Sequence, residues 1–165
     1  MIVIADTSPI ISLLKINRLH LLNDLFGIVF IPEAVYNELT QNEKYQFEAE
    51  KIIHSDFIQS KQISNKQAFH ILQNVALLDD GESEAIILFN EINGQLLLID
   101  ERRGREIAEQ LQIPISGTIG ILIKALEKSL LTANQVFEYL DIFQQENRRF
   151  SKKLINLVKK YLKNK

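Results

Sequence analysis

Two short apolar runs, residues 2–5 (IVIA) and 96–99 (LLLI), each end on an aspartate and lead straight into a helical pattern. Apolar runs of this length, without polar alternation, read as strands buried on both faces, which a parallel sheet covered by helices provides. Residues 28–31, 57–61 and 113–115 are the other strand candidates. Between them lie apolar residues at helical spacing. The pattern predicts helices over 10–25 with a break near Asn17, from Pro32 to about Leu39, and over 43–55. Further helices are predicted from an Asn65 cap to about Leu77, over 82–92, over 102–111, and from Thr118 to about Glu127. Thr132 and Gln135 form a capping-box pattern for a helix to about Phe143, and Ser151 can cap a last one. Strands alternating with helices imply an α/β fold, three layers deep as α/β/α, around a mostly parallel sheet of about five short strands.

Ligands of parallel α/β sheets collect beyond the carboxyl ends of the strands. Asp6 and Asp100 both fall at that edge. Either one alone is explained as a helix N-cap; two at one edge point to a site. Glu38 sits near the C-terminal end of its helix, where a carboxylate opposes the helix dipole, although a solvated surface glutamate is the plainer reading. The segment DDGESEAIILF crowds Asp79, Asp80, Glu82 and Glu84 at a helix start. Capping and dipole complementation account for some of them. Glu84 stands against the apolar run 85–89, where a carboxylate needs a partner or a cation. Glu82 and Glu84 are two residues apart on a helix and point to different sides, so only one enters a shared pocket squarely.

Grouped carboxylates repel one another and rise in pKa unless a cation intervenes. All-oxygen donors suit a hard cation, Mg²⁺ or Mn²⁺, rather than zinc. Such a centre polarises a phosphoryl oxygen and activates water without serine, cysteine or histidine. His20, His54 and His70 follow no ligand spacing, and the chain has no cysteine, which excludes disulfides and thiolate chemistry. No basic leader or run near the ~20 apolar residues of a membrane span is present, so the expectation is a soluble, cytoplasmic protein with no membrane partner.

The net charge of −2 hides an asymmetry. Residues 148–165 carry eight basic side chains and no acid, leaving 11 basic against 21 acidic residues over 1–147. The expected organisation is therefore a domain over 1–147 with a basic amphipathic helix, 148–165, appended to it. Phe150, Leu154, Leu157, Val158 and Tyr161 form an apolar stripe on that helix. Lys152, Lys153, Lys159 and Lys160 make either a solvated face or an RNA-steering or partner-binding one. Arg102, Arg103 and Arg105 follow Asp100 and are candidates for phosphate contacts, against salt bridges to Glu101, Glu106 or Glu109. Gly117 and Gly120 fit an anion site or close helix packing.

In order, VIADTSPIISLLKI, IPEAVYNEL, LDDGESEAI, LLLIDERRGREIA and ISGTIGILIKA resemble the PIN-domain superfamily, in particular a prokaryotic branch of predicted nucleic-acid-binding, toxin-like proteins. The resemblance spans residues 2–128. It implies an acidic pocket holding Mg²⁺ or Mn²⁺ and an endoribonuclease that hydrolyses RNA, single-stranded RNA above all, with activated water. Position by position, Asp6 matches the first-strand aspartate, Glu38 the helix glutamate and Asp100 the strand-end aspartate. Glu84 takes the place of a helix-start acid that is more often Asp, which makes Asp6, Glu84 and Asp100 the implied metal ligands. Thr7 and Ser8 match small hydroxyl residues that hydrogen-bond the first aspartate, with Glu82 in a supporting place. Glu101 stands where this branch often has a second Asp. Many relatives are toxins, so an antitoxin protein is a candidate partner, as is a second copy of the chain.

Two other readings compete. The same fold can serve as a non-catalytic nucleic-acid- or partner-binding module. An aspartate-based phosphotransfer domain fits Asp6 superficially, but DTS lacks the second acid two residues on that such a hydrolase shows.

Overall fold

The computed structural model describes residues 1–145 together with Asn156 and Lys159. Their internal contacts divide the chain into two compact units, Met1–Thr118 and Ile119–Lys165.

The first unit holds a five-stranded sheet in the order β3-β2-β1-β4-β5, parallel throughout. Its strands are β1 (Val3–Ala5), β2 (Val29–Pro32), β3 (Ile58–Lys61), β4 (Leu96–Leu98) and β5 (Ile115–Ser116). Register explains why the runs are so uniformly apolar. Ile4 stands beside Phe30 on one side and Leu97 on the other, and Leu97 beside Ile115. These four line one face and join a single hydrophobic cluster with Ile86, Leu88 and Ile99. Side chains alternate along a strand, so Val3, Ala5 and Leu98 face the opposite way, yet they too are buried. Both faces of the central strands are therefore covered.

The helices of this unit are α1 (Thr7–Lys15), α2 (Leu21–Phe26), α3 (Glu33–Gln41), α4 (Gln46–Ile53), α5 (Lys66–Asn74), α6 (Asp80–Glu91) and α7 (Arg102–Gln110), with a 3₁₀ turn at Glu43–Tyr45. Steps from β1 to β2 to β3 run one way across the sheet, and steps from β3 to β4 to β5 run the other. Right-handed crossovers then place α1 to α4 on one face and α5 to α7 on the other, giving three layers. Helix α6 packs against β1, β2 and β4, over the row containing Ile4. The strand order reverses between β1 and β4, the position where open parallel sheets bind ligands. Asp6 and Asp100 leave the sheet at that point.

The break expected near Asn17 is present, and several other boundaries differ from the sequence pattern for local reasons. Asn17 has a φ of 55°, which ends α1, and the N–H groups of Asn17 and Arg18 close back on Leu14 and Leu13 at 2.9 and 2.8 Å. Helix α5 stops at Asn74 rather than near Leu77, because Leu77 takes a φ of 57° through which a right-handed helix does not continue. Strand β5 begins two residues late. Gln112 has a φ of 58°, and the Ile113 N–H is still bonded to Ala108 at the end of α7 at 2.9 Å. Helix α6 starts early, at Asp80, under a capping box of Asp79 and Glu82.

Helices α8 (Thr118–Glu127) and α9 (Ala133–Gln145) make up the described part of the second unit, apart from Thr118 itself. The Thr132–Gln135 box opens α9: the Thr132 N–H donates to the Gln135 side chain at 2.9 Å, and the Gln135 N–H to the Thr132 hydroxyl at 3.3 Å. The division expected at 147 and the helix expected over 148–165 lie outside the described residues, except that Asn156 and Lys159 are helical and exposed. Among the described residues no helix is long and apolar enough to cross a membrane.

Ile4 is fully buried at the centre of the cross-sheet row. Ile4→Ala should cost about 2–5 kcal/mol in urea unfolding, with the dependence on urea unchanged. A loss below about 1 kcal/mol would mean that this row does not hold the layers together.

Candidate acidic site

Asp6 occupies the N-cap position of α1, but its side chain makes no capping bond there. The carboxylate is instead turned inward and is only 3% exposed. Burial, the largest cause, pushes its pKa up to about 8; the Thr7 backbone N–H works against this, and the charges of Asp79, Glu82 and Glu38 add to it. The cap reading thus fails for Asp6 on geometry. Gly81, in the first turn of α6, lets that helix approach: a Cβ there would stand 3.1 Å from Asp6 Oδ1.

Each surrounding acid is held by a different local device. The Thr7 hydroxyl donates to Glu38 Oε2 at 2.7 Å, which ties the start of α1 to the far end of α3. Thr7 therefore serves Glu38 through its hydroxyl and Asp6 through its backbone N–H, and the Ser8 hydroxyl reaches Glu101 at 3.4 Å. Asp79 accepts from the Glu82 N–H at 2.8 Å, and the Glu82 carboxylate accepts from the Asp79 N–H at 3.2 Å. Burial raises the Glu82 pKa, as do the charges of Asp79 and Glu101, against backbone N–H groups of Asp79 and Gly104 that lower it. A Cβ at Gly104 would lie 2.7 Å from Glu82 Oε1, so α7 can pass this carboxylate only because residue 104 is glycine.

Asp100 is half-buried and accepts from Thr118 twice, from the N–H at 2.8 Å and the hydroxyl at 2.5 Å. A Cβ at Gly117 would overlap Asp100 Oδ1, so that glycine makes room for the carboxylate. Glu84 lines the same cleft as Glu38 and Asp79. Its Oε2 accepts from the Ala34 N–H at 2.9 Å, in the first turn of α3, where the helix dipole favours an anion. That bond is the partner its apolar setting calls for. Of the two α6 glutamates, Glu82 is the one whose charge acts on Asp6.

The arginines after Asp100 are engaged. Arg102 pairs with Glu106 at 2.7 Å, and Arg103 with Glu106 at 3.7 Å and with the Ala76 carbonyl at 2.9 Å. Arg105 donates to the Ile99 carbonyl at 2.9 Å. Of the tail lysines, Lys159 is exposed, while Lys152, Lys153 and Lys160 lie outside the described residues. Asp79 is the residue whose importance the sequence concealed. It was one of four acids at a helix start, and the signal that singles it out is its capping-box spacing to Glu82.

The charges that act on Asp6 come from Asp79, Glu82 and Glu38, and an all-carboxylate set of this kind suits a hard divalent cation. As the side chains stand, no three His, Cys, Asp or Glu of the described residues are gathered tightly enough to hold a metal ion together.

A buried acidic centre at the reversal point of a parallel α/β sheet defines a class of protein: an α/β domain built to act through carboxylates. A family model for the PIN domain matches residues 2–164, and the chain belongs to that family. Searches of curated proteins and of solved structures returned no match. The PIN domain is a nuclease-type fold, and proteins that carry it are in general hydrolases working with divalent metal ions.

Two predictions follow from these contacts. With its pKa pushed up from the ordinary aspartate value to about 8, Asp6 binds more protons folded than unfolded. Its contribution to stability is complete below the unfolded pKa and is lost as pH rises through the folded one. Asp6→Asn should therefore flatten the fall in Tm between pH 5 and pH 9 in the absence of divalent cations, each kcal/mol recovered being worth about 2–4 °C. Parallel Tm curves for the two proteins would show that Asp6 is ionised at neutral pH. Glu84→Ala should lose about 1–3 kcal/mol by stranding the Ala34 N–H, whereas Glu84→Gln, which keeps an acceptor, should lose less than half as much. Equal losses in chemical denaturation would show that the charge matters and the bond does not.

Proposed function

We propose that the chain is a metal-dependent endoribonuclease that hydrolyses RNA at the Asp6 centre. The observation that carries this reading is a buried carboxylate, destabilised by burial and by Asp79, Glu82 and Glu38, at the sheet edge where ligands bind. Negative charge concentrated in this way attracts and orders cations. The residues proposed to hold Mg²⁺ or Mn²⁺ are Asp6, Glu84 and Asp100, with Glu38 and either Asp79 or Glu82 beside them. When bound, the ion supplies charge neutralisation at a phosphoryl oxygen and a more acidic water.

The protein's own part is positioning. Thr7 fixes the Glu38 carboxylate, Thr118 fixes Asp100, and the capping box fixes Asp79 and Glu82. A carboxylate so restrained has fewer orientations to lose when a cation or an attacking water is seated. Glu84 is held through one oxygen by the Ala34 N–H and lines the cleft with Glu38 and Asp79, so it stays in the proposed centre. Single-stranded RNA is the proposed substrate, drawn in by the basic segment 148–165. An antitoxin protein or a second copy of the chain is the other occupant proposed for that segment.

The gap between oxygen donors and a formed three-ligand group favours one second reading, a PIN-fold module that binds RNA or a partner without cutting. Incubation of an RNA pool with Mg²⁺, with Mn²⁺ and with EDTA separates the two. Cleavage should need a divalent cation and fall by about a hundredfold or more in Asp6→Asn and in Asp100→Asn, the scale of a lost transition-state charge partner. Intact RNA under every condition, with binding retained, would establish the binding module. Cleavage undiminished in both variants would move the centre elsewhere.

A further inference from the structure

Beside the acidic centre, a cleft of about 900 Å³ opens between α3 and the start of α6, with α5 forming its outer wall. Glu38 and Asp79 stand at its inner border, and no lysine or arginine lines it. A phosphate would meet only acids there, so the cleft suits a neutral, hydrogen-bonding group. Its walls carry four side-chain amides: Asn37 and Asn42 from α3 and its C-cap, and Gln73 and Asn74 from α5.

Internal bonds divide the functions of these amides. Asn42 spends its oxygen on the Lys44 N–H at 3.0 Å, and Asn37 spends its oxygen on Gln41 at 3.1 Å. Both leave NH₂ groups to donate. Asn74 spends its NH₂ on the His70 carbonyl at 2.8 Å, and Gln73 spends its NH₂ on Asp80. Both leave oxygens to accept. For three of the four, the partner is a backbone N–H, a carbonyl or a carboxylate, so the orientation of the amide is dictated by chemistry. One internal bond leaves each amide further sites, so the cleft wall offers both donors and acceptors.

We infer that this cleft receives a single unpaired nucleobase of the RNA and reads its edge through Asn37, Asn42, Gln73 and Asn74. Bases present donors and acceptors together on one edge, and unpaired bases are the part of RNA that proteins read by sequence. The inference rests on the nuclease reading for the strand that enters, but not for the recognition itself. Cleavage would then show a base preference at one position near the cut, set by this cleft rather than by the carboxylates.

The test has two arms on the full chain. In the first, ¹⁵N-labelled protein without divalent cation is titrated with adenosine, guanosine, cytidine and uridine, and the side-chain NH₂ signals of Asn37 and Asn42 are followed. One nucleoside should shift them at lower concentration than the other three, and the shift should vanish in Asn37→Ala and in Asn74→Ala, each shown by its Tm to be folded. In the second, end sequencing of a cleaved random RNA pool should give about a tenfold or greater preference for that same base, as expected for a good edge contact, falling toward about twofold in both variants. Cleavage without base preference, together with no nucleoside shift, would overturn the cleft assignment and leave the nuclease reading standing. Selective shifts without cleavage under any cation would keep the cleft and remove the nuclease. Shifts at other amides, with Asn37 and Asn42 unmoved, would also overturn it.

Discussion

Burial of the Asp6 carboxylate is the constraint around which the first unit is arranged. An aspartate that is 3% exposed is a cost to folding, and the surrounding elements are shaped to bring it about. Strand β1 lies at the centre of the sheet, and the Asp6 N–H bonds Leu98 of β4 at 2.9 Å, which carries the ladder up to the carboxylate. Gly81 allows α6 to close over it. The apolar row of Phe30, Ile4, Leu97 and Ile115 supplies burial that offsets the strain of keeping like charges near one another.

The acids around Asp6 are less alike than their shared charge suggests. Glu38 and Asp100 each take a threonine hydroxyl, Asp79 and Glu82 hold one another through the backbone, and Glu84 closes the first turn of α3. Each of these restraints crosses between elements or fixes a helix start. The centre is therefore held by hydrogen bonds of the protein's own. Glycine at 104 and 117 has the same logic, since a methyl group at either position would displace the carboxylate next to it.

Much of the fold was legible because both periodicities are strong. The runs ending at Asp6 and Asp100, the break at Asn17 and the capping box at Thr132 all have short-range causes, and all appear in the structure. Two boundaries were not legible, at Leu77 and Gln112, because a non-glycine residue there takes a left-handed conformation that no local pattern announces. At the site, sequence indicated which edge of the sheet would be acidic but not which way each side chain would turn. Glu84 borders an apolar run, and the Ala34 N–H that holds one of its oxygens lies 50 residues away in the chain. Asp79 looked like a cap, and it is one, while also being the acid whose charge acts most on Asp6. Helix-start acids are ambiguous in this way because one carboxylate can cap a helix and face a pocket at once.

The central claim is that Asp6 is buried among acids in order to hold a divalent cation. Crystals grown with Mn²⁺, measured for anomalous scattering at the manganese edge, test it most directly. The account predicts a peak at ligand distance, about 2.0–2.2 Å, from a carboxylate oxygen of Asp6, with at least one of Glu38, Asp79, Glu82, Glu84 or Asp100 sharing it. An Asp6 carboxylate with no peak beside it at saturating Mn²⁺, whether or not manganese binds elsewhere, would contradict the account.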